Sequence, residues 1–225
     1  MELSQAAQDY LKAIYQLSQQ SRRASTSALA AHLHVTAASV TGMLRQLAEF
    51  ELVIYEPYRG VTLTAKGRRL ALEVIRHHRL LEAYLMQVMG YSWDRVHDEA
   101  ERLEHAISEE FEERISHILG NPSHDPHGDP IPSKDGEMAS VSNLQLDCAP
   151  TDQPLRIERV RDENPRVLQS LAKIGMTPHT IITVCSTDSK GTEVRKQNGE
   201  RYLLAPELAR SVFVVLINND AAVDV

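Results

Sequence analysis

The stretch VTAASVTGMLRQLAEFELVIYEPYRGVTLTAKGRRLA, residues 35–71, decides the fold. Thr36 offers an N-cap hydroxyl, and the segment from Ala37 to Phe50 puts Val40, Met43, Leu44 and Leu47 on one helical face. LVIY and VTLT are β-branched and aromatic on either side of the turn EPYRG, so residues 52–64 read as a hairpin. Just upstream, Ser25 to Leu33 reads as a short helix joined to the next by the tight link HVT. Two helices, a tight turn and then a hairpin make a winged helix-turn-helix. Its second helix can enter a DNA major groove while the hairpin tip meets phosphate. Thr36, Ser39 and Thr41 suit hydrogen bonds to bases or phosphates, with Ala37 and Ala38 beside them. Arg45 and the wing-tip Arg59 suit phosphate contact. A plainer reading makes Thr36 only a cap and Ser39 and Thr41 only surface.

Residues 8–20 give an amphipathic helix through Tyr10, Leu11, Ile14, Tyr15 and Leu17. Thr64 caps a long helix that Gly90 can stop, and Asp94 is expected to cap a last long helix from about Arg95 to Leu119, closed by Gly120. Six of the ten prolines then fall between Pro122 and Pro154, the composition of a loop. From about Gln153 the pattern is β-rich. LRIERV, TIITVCS, TEVRKQ and SVFVVLI read as strands, with one short helix near Pro165–Ile174, which suggests a small barrel. The expected class is mainly α, with domains at 1–73 (winged helix), 74–140 (helical), 141–152 (linker) and 153–225 (SH3-like).

The 225-residue chain carries a net charge of −7, which taken whole argues against nucleic acid. The average hides a split. Residues 1–76 hold nine Lys and Arg against six Asp and Glu, and the remainder holds 15 against 25. No apolar run approaches the ~20 residues of a membrane span, and MELSQAAQDYLKAIYQL has neither a basic nor an apolar leader region. Two cysteines 37 residues apart form no CxxC pair, which suits a reducing cytoplasm.

Seven of ten histidines lie between His77 and His127. His97, Glu101, Glu104 and His105 project within about 100° of one helical face, and His78 and Glu82 form an i,i+4 pair on the helix before. Stripes of His and Glu on packed helices build metal sites in bundles. Without thiolate they suit Mn2+ or Fe2+ as well as Zn2+. Asp9 on the first helix could complete the site. The competing readings are a solvated acidic face on a DNA-binding protein and a metal-dependent hydrolase, though no nucleophile motif accompanies the second.

DYLKAIYQL at 9–17, residues 35–71, RHHRLLEAYL at 76–85, VHDEAERLEHAIS at 96–108 and DPHGDPIP at 125–132 together resemble one family. It comprises the metal-dependent transcriptional repressors of the diphtheria-toxin-repressor and manganese-transport-regulator type. IGMTPHTIITV and ELARSVFV resemble the small barrel that longer members append. The resemblance implies a regulator that is not an enzyme, a homodimer binding a palindromic double-stranded operator when its metal is bound. It implies a primary metal site of Asp9, Glu101, Glu104 and His105. A second site would use His78, Glu82 and His97, with Asp125, His127 and Asp162. Iron-sensing members place Met and Cys where this chain has Asp9 and Glu101, so the implied metal is Mn2+, with Fe2+ as the alternative and other divalent ions as substitutes in vitro. Two positions depart from relatives. Lys12 replaces a Glu of the short manganese regulators, and Gly42 replaces a Gln of the iron-sensing members.

Overall fold

The computed structural model describes residues 3–19, 21–161 and 164–217. Helix α1 (Gln5–Ser18) starts at Ser4, whose hydroxyl accepts the Ala7 amide at 3.3 Å. Helices α2 (Thr26–His32) and α3 (Ala37–Glu49) start at Ser25 and Thr36 in the same way. Strands β1 (Val53–Glu56) and β2 (Gly60–Leu63) pair antiparallel from Val53↔Leu63 to Glu56↔Gly60. Leu11, Ile14, Leu29, Val40, Leu44, Leu47, Leu52 and Val61 close the core of this unit. Thr64 caps α4 (Ala65–Gln87), accepting the Gly67 amide at 3.1 Å. At about 1.5 Å per residue α4 is ~35 Å long. It leaves the first core through Leu72 and Ile75 and enters a second through Leu80, Leu81 and Leu85.

The expected single helix from Arg95 to Leu119 is two. Helix α5 (Val96–Leu103) ends at Glu104, and α6 (Glu109–Ile118) starts at Ser108, whose hydroxyl accepts the Phe111 amide at 3.3 Å. Three acidic residues in the first turn of α6 complement the helix dipole there. Of the expected stripe, only His97 and Glu101 lie within α5. Glu104 is its C-cap and His105 lies in the turn beyond. Asp94 is not a cap: α5 starts at Arg95 with no side-chain cap bond, and Asp94 instead accepts from Gln169 Nε2 at 2.6 Å. Gly90 and Gly120 do lie just beyond α4 and α6.

The C-terminal unit is a five-stranded antiparallel sheet of β3 (Pro154–Val160), β4 (Ile181–Asp188), β5 (Gly191–Lys196), β6 (Arg201–Leu204) and β7 (Val212–Leu216), in the order β6-β5-β4-β3-β7. Helix α7 (Pro165–Lys173) packs Leu168 and Leu171 onto it, and α8 (Pro206–Ser211) packs Ala209. Trp93, from the turn before α5, is buried in the same core and ties sheet to helices. The proline-rich stretch is irregular, apart from a 3-10 turn at Leu146–Cys148, but parts of it are firmly docked. Gly128 shows how closely. At φ +91°, a Cβ there would lie 2.0 Å from the Glu158 carbonyl oxygen, and the His127 carbonyl accepts the Val160 amide at 2.8 Å. Among the described residues no helix is long and apolar enough to cross a membrane.

Candidate metal centre and nucleic-acid interface

Three elements converge on Glu104. Helix α1 brings Gln8, Asp9 and Lys12, α4 brings His78 and Glu82, and α5 with its following turn brings His97, Glu101, Glu104 and His105. Asp9, Glu104 and His105 offer one ligand atom each, all within 4.8 Å of one another. His105 Nδ1 donates to Gln8 Oε1 at 2.5 Å, so that in the neutral ring Nε2 carries the lone pair. That lone pair faces Asp9 Oδ1 at 2.8 Å and Glu104 Oε1 at 3.4 Å, and Nε2 is buried with no hydrogen-bond partner. Lys12 Nζ, 2.8 Å from both Glu104 oxygens, offsets that carboxylate from one side, while Asp9 and the His105 ring nitrogen converge on it from the other, so the donor set fits a metal.

A second cluster, Glu82, Asp125 and His127, is buried throughout, again with ligand atoms within 4.8 Å. His127 Nε2 donates to the Trp93 carbonyl at 3.0 Å, turning Nδ1 toward Glu82 Oε2 at 3.7 Å. Asp125 Oδ1 accepts the amides of His127 and Asp129, both at 2.9 Å, while buried Oδ2 has no hydrogen-bond partner. Burial, and then the Glu82 carboxylate, push Asp125 well above the usual carboxylate range despite Arg79 nearby. Arg79 Nε lies 3.5 Å from Asp125 Oδ2, and His78 pairs with Glu82, so the cluster is held by cations from two sides.

Lys12 and His78 lie between the clusters. Lys12 Nζ donates to Glu101 Oε2 at 2.7 Å and to both Glu104 oxygens at 2.8 Å, and lies 3.3 Å from His78 Nδ1. His78 contacts Glu104 through Nδ1 and Glu82 Oε1 through Nε2 at 3.0 Å. Burial opposes charge on His78, but Glu82 and the bonds to both carboxylates raise it to about 9. Burial likewise opposes charge on Glu82, which the His78 charge nevertheless holds well below its ordinary value.

This pair sets a pH window for the metal-free chain. The raised His78 contributes stability in full below its ordinary value of 6.5 and loses it as pH rises through about 9. The lowered Glu82 contributes above 4.5 and loses it in acid. Urea unfolding with chelator present should show this pair's contribution falling by about 2–3 kcal/mol between about pH 6 and pH 9. Equal stability at those two values would show that His78 is not charged in the fold.

The structure therefore regroups the residues singled out from sequence. Asp9, Glu104 and His105 come together, but Glu101 faces Lys12 and groups with His78 and His97. Glu82, Asp125 and His127 come together, with His97 Nδ1 3.1 Å from Glu82 Oε1. Asp162 lies outside the described residues. Sequence reasoning missed Gln8 and the Trp93 carbonyl, which orient two imidazoles; neither is a ligand type, so no motif signals them.

At the winged helix, Thr36, Ala37, Ala38, Ser39, Gly42 and Arg45 are exposed, and Thr41 is half-buried. The Thr36 hydroxyl caps α3 through the Ser39 amide, and Thr41 Oγ1 donates to the Ala37 carbonyl at 2.9 Å. Arg59 is exposed in the wing turn beside Glu56, 3.5 Å away. A Cβ at Gly42 would meet nothing within 4 Å, leaving a shallow dent on the exposed face of α3. Gly42→Ala should therefore stabilise the fold by about 0.5–1 kcal/mol through helix propensity, read by denaturant unfolding. Destabilisation would show that this face is not open.

Comparisons with known proteins follow the same division. The N-terminal DNA binding domain of iron dependent repressors matches residues 2–61, their metal binding and dimerisation domain matches 64–133, and the FeoA domain matches 144–216. The solved structure of a manganese-dependent transcriptional repressor in complex with manganese is 38% identical, with a TM-score of 0.87 over 94% of this chain and 100% of that one. The chain belongs to the iron-dependent repressor family. As a member, it is a metal-dependent, DNA-binding transcriptional repressor with a dimerisation domain, and the hydrolase reading falls. Other relatives of this repressor span both metals. The iron-dependent repressor IdeR of Mycobacterium leprae (strain TN) is 29% identical, covering 95% of this chain and 98% of that protein. The manganese regulator SloR is 29% identical, with a TM-score of 0.76 over 94% of this chain and 98% of that one.

Proposed function

We propose that this repressor responds to manganese, binds a palindromic operator as a homodimer and controls genes of metal-ion homeostasis. One observation carries the choice of metal: the donors gathered around Glu104 and Glu82 are carboxylates and imidazoles with no sulfur among them. Hard oxygen donors at Asp9, Glu104, Glu82 and Asp125 suit Mn2+ better than sulfur-preferring ions. Asp9, Glu104 and His105 would hold one ion. Glu82, Asp125 and His127, beside His78 and His97, would hold a second, to which Asp162 is assigned by resemblance alone. When bound, a divalent ion would add positive charge to carboxylates that in the metal-free chain share Lys12, His78 and Arg79.

Asp9 lies on α1, whose apolar face packs in the winged-helix core, whereas Glu104 and His105 follow α5 in the helical unit. Donors drawn from both units fix their relative orientation. In a dimer that orientation sets the spacing of the two α3 helices, which must match half-sites about one helical turn, or a multiple of it, apart. Thr36, Ser39 and Thr41 would meet the DNA with Ala37 and Ala38, and Arg45 and Arg59 its phosphates. We read the C-terminal sheet as the small SH3-like barrel.

The deciding experiment is an anaerobic operator titration, one metal at a time. Affinity at such donors rises from Mn2+ to Fe2+ whichever metal is sensed, so the readout is operator binding at saturating metal, where Mn2+ is expected to give fuller binding than Fe2+. The reverse order would favour the iron-responsive alternative, and Mn2+ dependence unchanged in Asp9→Ala would remove Asp9 from the site.

A further inference from the structure

A fourth group of metal-ligating side chains shares no residue with the clusters above. Glu73 and His77 lie one turn apart on the same face of α4, and Glu109 opens α6. Their ligand atoms all lie within 4.8 Å of one another. His77 is 93% buried, only 7% exposed, and its Nδ1 is 3.2 Å from the Glu104 main-chain oxygen, to which it donates. In the neutral ring Nε2 then carries the lone pair. It is buried without a hydrogen-bond partner and faces Glu112 Oε2 at 3.4 Å and Glu109 Oε1 at 3.9 Å.

Both of these neighbours are carboxylate oxygens. Arg76 Nε binds Glu112 Oε1 at 2.7 Å and balances that carboxylate. Among the described residues neither Glu73 nor Glu109 is paired with a Lys or Arg. Burial, and then the Glu109 carboxylate, raise Glu73 above its usual range, so the two carboxylates sense each other. The helix dipole accounts for acidic residues in the first turn of α6. It does not account for a buried imidazole aimed at them with its ring fixed from behind by a carbonyl, which is how ligating histidines are held.

The geometry points to a further divalent-metal site at Glu73, His77 and Glu109, taking a first-row transition ion through one imidazole and two carboxylates. An ion there clamps α4 to α6. Because His77 is anchored on the Glu104 carbonyl, it also steadies the turn that carries Glu104 and His105. The inference does not rest on the manganese reading and concerns ions that either metal response would leave uncounted.

Equilibrium dialysis of the full chain against Zn2+, with ions per subunit counted by mass spectrometry, tests it. E73Q/E109Q alters two exposed side chains and should keep the fold, while H77N removes the buried nitrogen donor. Each is expected to bind one Zn2+ fewer per subunit than the unaltered chain. An unchanged count in folded E73Q/E109Q overturns the site, whatever H77N does. Asp9→Ala measured alongside reports the Glu104 cluster separately, so either site can fail alone.

Discussion

Glu104→Gln should abolish the metal response of operator binding. Glu104 is 1% exposed and, among the described residues, is the one carboxylate that touches His105, His78 and Lys12 together. It also ends α5, so it links the helical unit to the Asp9 side of the pocket. Burial opposes its charge, but the His78 hydrogen bond and the Lys12 ammonium hold it below the usual carboxylate range, so it is ionised and ready for a cation. Coupling of 1–3 kcal/mol between effector and DNA corresponds to roughly 5–150-fold in affinity, and that factor should vanish. The amide keeps the volume, so a cavity is not the cause. Stability is a separate readout. Without metal, Lys12 and His78 lose a shared charged partner, and urea unfolding in chelator should fall by about 3 kcal/mol. An operator titration in which Mn2+ still enhances binding by the full factor would show that Glu104 is not a ligand.

How much of this was legible differs by region. The winged helix was, because its signals are local: Thr36 and Thr64 cap the two helices, and β-branched residues flank a turn. The metal stripe was legible in its residues but not in its shape. Periodicity continues through residues 95–119, and it hid the cap at Ser108 that starts a new helix. Asp94 looks like a cap by type, but Gln169, 75 residues away, takes its carboxylate. Strand β6 was missed although Asn198-Gly199 marks a turn before it, because RYLL is short and leaves Leu203 exposed. The regrouping of Glu101 was beyond local reading, since it depends on where a lysine 89 residues earlier in the chain places its ammonium. His77 was within reach: Glu73 and His77 form an i,i+4 pair as clear as His78 and Glu82.

Lys12→Ala should have the second large effect, destabilising the metal-free chain while tightening its hold on Mn2+. Lys12 is 7% exposed, and its ammonium bonds Glu101 and both oxygens of Glu104. Burial opposes its charge, but Glu104 and Glu101 raise it above its ordinary value, so it stays charged. It therefore serves as a resident cation for carboxylates that also face the Asp9–His105 side. Removing it leaves a fully buried carboxylate partly unpaired. Loss of one partner from a buried pair costs about 3–5 kcal/mol, and the lower end applies here because the Glu101 side chain is 48% exposed and can turn to water. In chelator, then, urea unfolding of Lys12→Ala should fall by about 3 kcal/mol. With Mn2+ the loss is partly recovered. Glu104 no longer has to be shared with an ammonium, so the variant should bind the ion more tightly and gain more from it, since stabilisation grows with the logarithm of ligand over dissociation constant. The stability gap between variant and unaltered chain should narrow as free Mn2+ rises. A gap that stays constant across the titration would show that Lys12 contributes only packing and does not compete with the ion for Glu104.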